Sequence, residues 1–101
     1  MTHTPDFISE LFAAANTIHD IAPLERRRLI ERGIATVRAQ RELLHMNGNT
    51  VSLEPGFMKD MPGLAVMAAR DEGIEVLVAA GMLMLAAEIR RLRILRLGCE
   101  R

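Results

Sequence analysis

A stretch of 36 residues, Pro62 to Leu97, contains no proline after its first position, which predicts a single long helix. Such a helix would be about 54 Å long, whereas a compact domain of this length is roughly 35 Å across. Within the stretch, residues 76–87 (VLVAAGMLMLAA) are apolar on every side, and a helix that is hydrophobic all round has to be buried all round. One short chain can hardly supply that cover, so we expect a second copy or a partner protein.

Gly73 is the position at which this long helix would kink or divide. Even then, a helix over residues 74–97 alone would have 24 residues. Upstream, the first helix begins near Thr4 and ends before Pro23, and the second runs from Pro23 to about Met46. A connector over residues 50–61 follows, with a turn at its Pro-Gly pair.

The chain has 101 residues, half of them hydrophobic and only three aromatic, so its core consists of aliphatic side chains and methionine. No segment shows the alternating pattern of a β-strand. We therefore predict an all-α fold with a single helical domain, residues 1–101. Its architecture would be a small helical bundle with two long antiparallel helices, completed by dimerisation.

Five residues of the long helix step by four and three, the spacing of a helix-packing seam, and are predicted to form the core and the dimer contact. They are Val78, Met82, Leu85, Ile89 and Leu92. On the second helix, Arg41 lies in line with an apolar stripe. Either its stem covers apolar surface while its head reaches solvent, or it pairs with an acid on a partner.

Catalysis and metal binding find little support in the sequence. His3, His19 and His45 show no metal-ligand spacing, and one cysteine, Cys99, supplies neither a disulfide framework nor a zinc site. The apolar run of 12 residues is shorter than the roughly 18 to 20 that a membrane span requires, and the N-terminus does not have the pattern of a signal peptide. We therefore expect a cytoplasmic protein without enzyme activity, cofactor, metal or membrane partner.

Thirteen basic and thirteen acidic residues give a formal net charge of zero, which argues against a general polyanion binder. Two arginine clusters, at residues 26–32 and 90–96, nevertheless keep open the alternative of a small helical dimer that binds DNA directly as a regulator. Against it, Arg26, Arg27 and Arg28 point about 100° apart on a helix, and aromatic residues for stacking on bases are few.

The connector has unusually apolar residues, among them Leu53 and Phe57, close to its turn. Together with Val76 at the start of the long helix, they would form a hydrophobic anchor for another protein if they are partly exposed. The alternative is that they fold back and close the end of the bundle.

The run Val37 to Leu44 (VRAQRELL) resembles the second-helix motif of TraM-type quorum-sensing antiactivators, a hydrophobic-Arg-x-(Gln/His)-Arg-x-Leu-hydrophobic pattern. It follows a proline-initiated helix start, as at Pro23. The spacings of five residues near the C-terminus are similar to those in that family's long last helix: Ile74, Ala79, Ile94, Leu97 and Gly98. Total length and the order of the helices also agree.

The resemblance implies a small all-helical homodimer that binds a LuxR-type transcription activator (TraR-like) and blocks its DNA binding, restraining conjugal plasmid transfer. It also implies two contact positions. The connector leucine before a proline corresponds to Leu53, with one extra residue before Pro55. The aromatic residue near the start of the last helix corresponds to Val76, which is a departure from the family pattern.

Overall fold

A computed structural model describes the backbone of residues 4–48, 55–70 and 74–99, and the side chains of residues 6–48, 55–70 and 74–96. Over these ranges it contains four α-helices: α1 Thr4–Asn16, α2 Pro23–Met46, α3 Met61–Ala68 and α4 Glu75–Cys99. Short 3-10 helices at Ile18–Asp20 and Gly56–Lys59 precede α2 and α3. The described residues form no strand, which confirms the all-α prediction.

The bounds of α2 follow from its sequence. Ala22 has an extended backbone (φ −62°, ψ 146°), because the ring of Pro23 excludes helical geometry from the preceding residue. At the other end, Gly48 has a φ of 78°, the left-handed conformation that ends many helices and that a glycine adopts without strain. The predicted helix from Pro23 to about Met46 is confirmed.

The predicted continuous helix from Pro62 to Leu97 is wrong. The α3 helix ends at Ala68, where the amide of Arg70 donates to the carbonyl of Met67 in a tight turn (3.0 Å). Residues 71–73, which include the suspected break at Gly73, lie outside the described ranges. The α4 helix still has 25 residues, close to the shorter alternative of residues 74–97.

The long helix α4 lies at the centre of the fold, packing against both α1 and α2, while α3 packs mainly against α2. Near the start of both long helices, Arg26 of α2 pairs with Glu75 of α4 (3.8 Å), and further along Arg41 pairs with Glu88 (3.8 Å). The two long helices therefore run in the same direction, and the antiparallel arrangement is wrong. The physical reason is that α3 is a separate helix, so the chain can return along α2 before α4 begins.

The five seam residues of α4 are fully buried within the single chain. We call this set the inner seam: Val78, Met82, Leu85, Ile89 and Leu92. Since α1 and α2 cover it, the inner seam is core of one chain and offers no surface to a second copy. On α1, Phe7 is buried and Phe12 is exposed.

Candidate protein-interaction site

The opposite side of α4 carries apolar side chains that the chain leaves uncovered. Val76 is 83% exposed and Leu83 is 38% exposed. With Ala80 and Ala87, which are also exposed, they step by four and three like the inner seam, and we call this second set the outer stripe. The chain thus leaves part of the all-round apolar segment in contact with solvent.

Beside the outer stripe lies an apolar groove of about 540 Å³ between the segment that ends in α3 and the first half of α4. We call it the α3–α4 groove. One wall is formed by Phe57, Met61, Leu64 and Met67, and the other by Leu77, Ala80, Gly81 and Met84. Lys59, Asp60 and Gly63 complete the lining.

Gly81 lets the two walls approach closely. A Cβ atom built at this position would lie 2.5 Å from Cδ2 of Leu64. Because glycine has no Cβ, the Leu64 side chain can lie directly against α4, within the groove wall.

The three predicted partner-binding residues have different positions. Leu53 lies outside the described residues. Phe57 is partly buried, packs against the core and lines the α3–α4 groove. Val76 is exposed and directly precedes Leu77, a groove residue that is itself 58% exposed. The neighbouring Met58 is buried, so this part of the connector does close the bundle, as the alternative interpretation held.

Sequence reasoning missed most of the groove, including Leu64, Met67 and Met84. The heptad spacing of Leu77 and Met84 was visible in the sequence. The opposite wall was not, since it exists only because α3 is a separate helix that lies beside α4.

The first arginine cluster is largely engaged within the chain. Arg26 is buried, and its guanidinium donates to the carbonyls of Ile21 and Ile18 (2.8 Å each). Three further arginines pair with glutamates: Arg27 with Glu31, Arg28 with Glu25 and Arg32 with Glu10. Of these pairs, Arg32 with Glu10 joins α2 to α1, and all of them reduce the charge that the cluster presents to a polyanion.

A buried glutamate joins α2 to α4. Glu88 is 5% exposed and accepts two hydrogen bonds from Arg91 (2.7 and 2.9 Å), while Arg41 approaches to 3.8 Å. The hydrogen bonds to Glu88 raise the pKa of Arg91 above its ordinary value. Arg41 therefore pairs with an acid of its own chain, which corrects both the solvent-reaching and the partner-pairing interpretation.

Within the described parts of the chain, histidine, cysteine and carboxylate side chains form no cluster suited to a metal ion. No helix in those parts combines the length and apolarity needed to cross a membrane. No protein-family model, curated protein or solved structure matches the chain.

Proposed function

We propose that this chain is an antiactivator: it binds a LuxR-type quorum-sensing activator similar to TraR and blocks its DNA binding, thereby restraining conjugal plasmid transfer. The resemblance of Val37 to Leu44 to the TraM-type motif motivates this function. The observation that supports it most is the exposed apolar surface at the start of α4, where Val76 and Leu77 adjoin the α3–α4 groove. Contiguous apolar surface of this kind marks sites of protein association.

We further propose that the chain forms a homodimer. Its inner seam is already covered, so the contact falls on the outer stripe. There, four-three spacing suits helix packing, and Ala80 and Ala87 allow a second helix to approach closely. A homodimer would also remove Val76 and Leu83 from water, which the single chain does not.

The alternative, direct DNA binding, has less support from the geometry. The arginines of residues 26–32 are engaged in contacts within the chain. Arg91 of the second cluster is held by two hydrogen bonds to Glu88. Phosphate contacts would have to compete with these pairs.

A gel-shift series with TraR and its operator duplex tests the function. The wild-type chain is expected to release TraR from the duplex and to leave the naked duplex unshifted. Leu77→Glu, on the groove wall at a position that is 58% exposed, should weaken the release, whereas the control Met46→Glu, at an exposed position near the end of α2, should not. Retention of TraR on its operator with the wild-type chain would contradict the proposal, and a salt-sensitive shift of naked duplex would favour the DNA-binding alternative.

Light scattering on the same samples tests the dimer. The expected mass is twice that of the 11.3 kDa chain. A monomer with undiminished helicity at micromolar concentration would contradict the dimer. It would leave open the separate proposal that the chain releases TraR from its operator.

A further inference from the structure

Exposure divides the described methionines into a protected and an accessible group. Met58, Met61 and Met82 are each at most 3% exposed. Met67 and Met84 are 46% and 41% exposed, and they lie on opposite walls of the α3–α4 groove. Each wall of the groove therefore presents a thioether, a group that oxidants attack where they can reach the sulfur.

Two other methionines are internal comparisons for this pair. Met61 also lines the groove, but it packs against α4: its sulfur lies 3.7 Å from the position that a Cβ of Gly81 would occupy. Met46 is 70% exposed near the end of α2 and does not line the groove. Met61 therefore shares the location of the pair without its exposure, and Met46 shares the exposure without the location.

Oxidation of a thioether by a hydroperoxide is a two-electron step. The sulfur donates an electron pair to one peroxide oxygen, so that an S–O bond forms and the O–O bond breaks. With hydrogen peroxide, the second oxygen leaves as water with both protons. The product, methionine sulfoxide, is polar, and sulfoxide reductases convert it back to methionine.

At Met67 and Met84 this change alters the surface and leaves the core intact. A side chain with three rotatable bonds can turn the new oxygen towards the water that already reaches it. At the buried Met58 or Met82, the same oxygen would lose its hydrogen bonds to water, which opposes folding. Oxidation of the pair therefore makes both walls of the groove polar without unfolding the chain.

We propose that Met67 and Met84 form a modification site for hydroperoxides, at which conversion to the sulfoxides turns the α3–α4 groove from apolar to polar and reduction turns it back. The consequence rests on the proposed function: an oxidised groove no longer supports the apolar contact with the activator beside Val76 and Leu77. Burial of apolar surface drives such contacts. The chain would thus release TraR from its operator only in its reduced form.

Peptide mass spectrometry of the full chain after exposure to hydrogen peroxide tests the site. The oxidation rate of each methionine in the native chain is divided by its rate in urea, where all are accessible. Met67 and Met84 should give ratios close to that of Met46, and the buried methionines should give ratios at least about tenfold lower. Circular dichroism should show native helicity after the pair is oxidised. Protection of the pair to the level of Met58 and Met82, or loss of helicity on its oxidation, would overturn the proposal.

Retention on a phenyl column measures the polarity of the surface without any partner. Peroxide treatment should shorten the retention of the wild-type chain, and sulfoxide reductases should restore it. The double variant Met67→Leu/Met84→Leu keeps the side-chain volume but has no sulfur in the pair. Its shift on peroxide treatment should be much smaller than that of the matched control Met46→Leu. Equal shifts of the two variants would overturn the proposal.

The TraR gel shift separates this inference from the proposed function. The chain is oxidised, freed of peroxide with catalase, and only then mixed with TraR and its operator duplex. Wild type and Met46→Leu should lose release activity at least about tenfold on oxidation, whereas the double variant should keep its own starting activity. Equal release by wild type before and after oxidation would overturn the switch and leave the function standing. If untreated wild type fails to release TraR, the function fails, while the mass spectra and the column still decide whether the pair is a modification site.

Discussion

The inner seam and the outer stripe of α4 show that similar sequence patterns on one helix have different roles. Both sets step by four and three, and both are apolar. The inner seam is fully buried by α1 and α2, whereas Val76 and Leu83 of the outer stripe face solvent. Periodicity within an all-round apolar helix therefore cannot say which side is core. That depends on where the other helices pack, and the side that they leave uncovered is available for partners.

Two leucines, Leu85 and Leu83, provide the most direct test of this difference. Leu85 is buried in the inner seam and Leu83 is exposed in the outer stripe. Leu85→Ala removes packed methyl groups and leaves a cavity, so the free energy of unfolding should fall by about 2 to 5 kcal/mol. Leu83→Ala should cost less than about 1 kcal/mol in the single chain. Urea unfolding monitored by circular dichroism measures both.

Repeating the two unfolding curves at several protein concentrations extends the test to the dimer. If the outer stripe is the dimer contact, the cost of Leu83→Ala should grow with concentration, because association stabilises only the folded state. Equal losses for Leu83 and Leu85 at every concentration would contradict the division of α4 into a buried and an open side.

The second prediction concerns Glu88, which lies between Ala87 of the outer stripe and Ile89 of the inner seam. Glu88→Gln keeps the shape but removes the charge that faces Arg41 and Arg91, so it should destabilise by about 1 to 3 kcal/mol. Glu31→Gln is the control, since its pair with Arg27 is exposed on both sides and should contribute about 0 to 1 kcal/mol. Thermal unfolding of the two variants compares them. An equal, small effect would show that Glu88 is not held as a buried charge.

Local signals in the sequence predicted the parts of the fold that local chemistry determines. Pro23 and the turn after Met46 defined α2 correctly, and the aliphatic composition with no strand pattern gave the all-α class. The end of α3 at Ala68 had only a weak and displaced signal, the glycine at position 73, since residues 64–70 contain neither proline nor glycine. Because α3 and α4 were predicted as one helix, the sequence also predicted the wrong direction of α4 relative to α2.

The candidate site was predictable only in part, for the same reason. The sequence indicates Val76 and Phe57 because both are apolar residues close to a turn, and the structure places Val76 on the open side of α4 and Phe57 in the groove. The groove wall made by Leu64 and Met67 depends on how α3 packs. The sequence placed Leu64 and Met67 in the same continuous helix as residues 75–97, so it could not predict that they face α4 across a groove.

The smallest expected effects come from replacing two glycines with alanine, one that faces the buried side of α4 and one that faces the groove. Alanine in place of glycine inside a helix stabilises by about 0.5 to 1 kcal/mol when space allows. A Cβ at Gly33 of α2 would lie 2.9 Å from Cδ1 and 3.4 Å from Cβ of the fully buried Leu85. Because Leu85 has nowhere to move, overpacking of about 1 to 3 kcal/mol should exceed the gain, and Gly33→Ala should destabilise by about 1 kcal/mol.

At Gly81 the new Cβ would meet the outer end of Leu64 instead. Leu64 is only partly buried and can swing into the open groove, so the helix gain should remain and Gly81→Ala should lie between neutral and about 1 kcal/mol stabilising. Its displaced Leu64 would narrow the groove without a loss of stability. Paired melting curves of the two variants measure the difference. Destabilisation of Gly81→Ala as large as that of Gly33→Ala would mean that the groove side of α4 is packed as tightly as its core side.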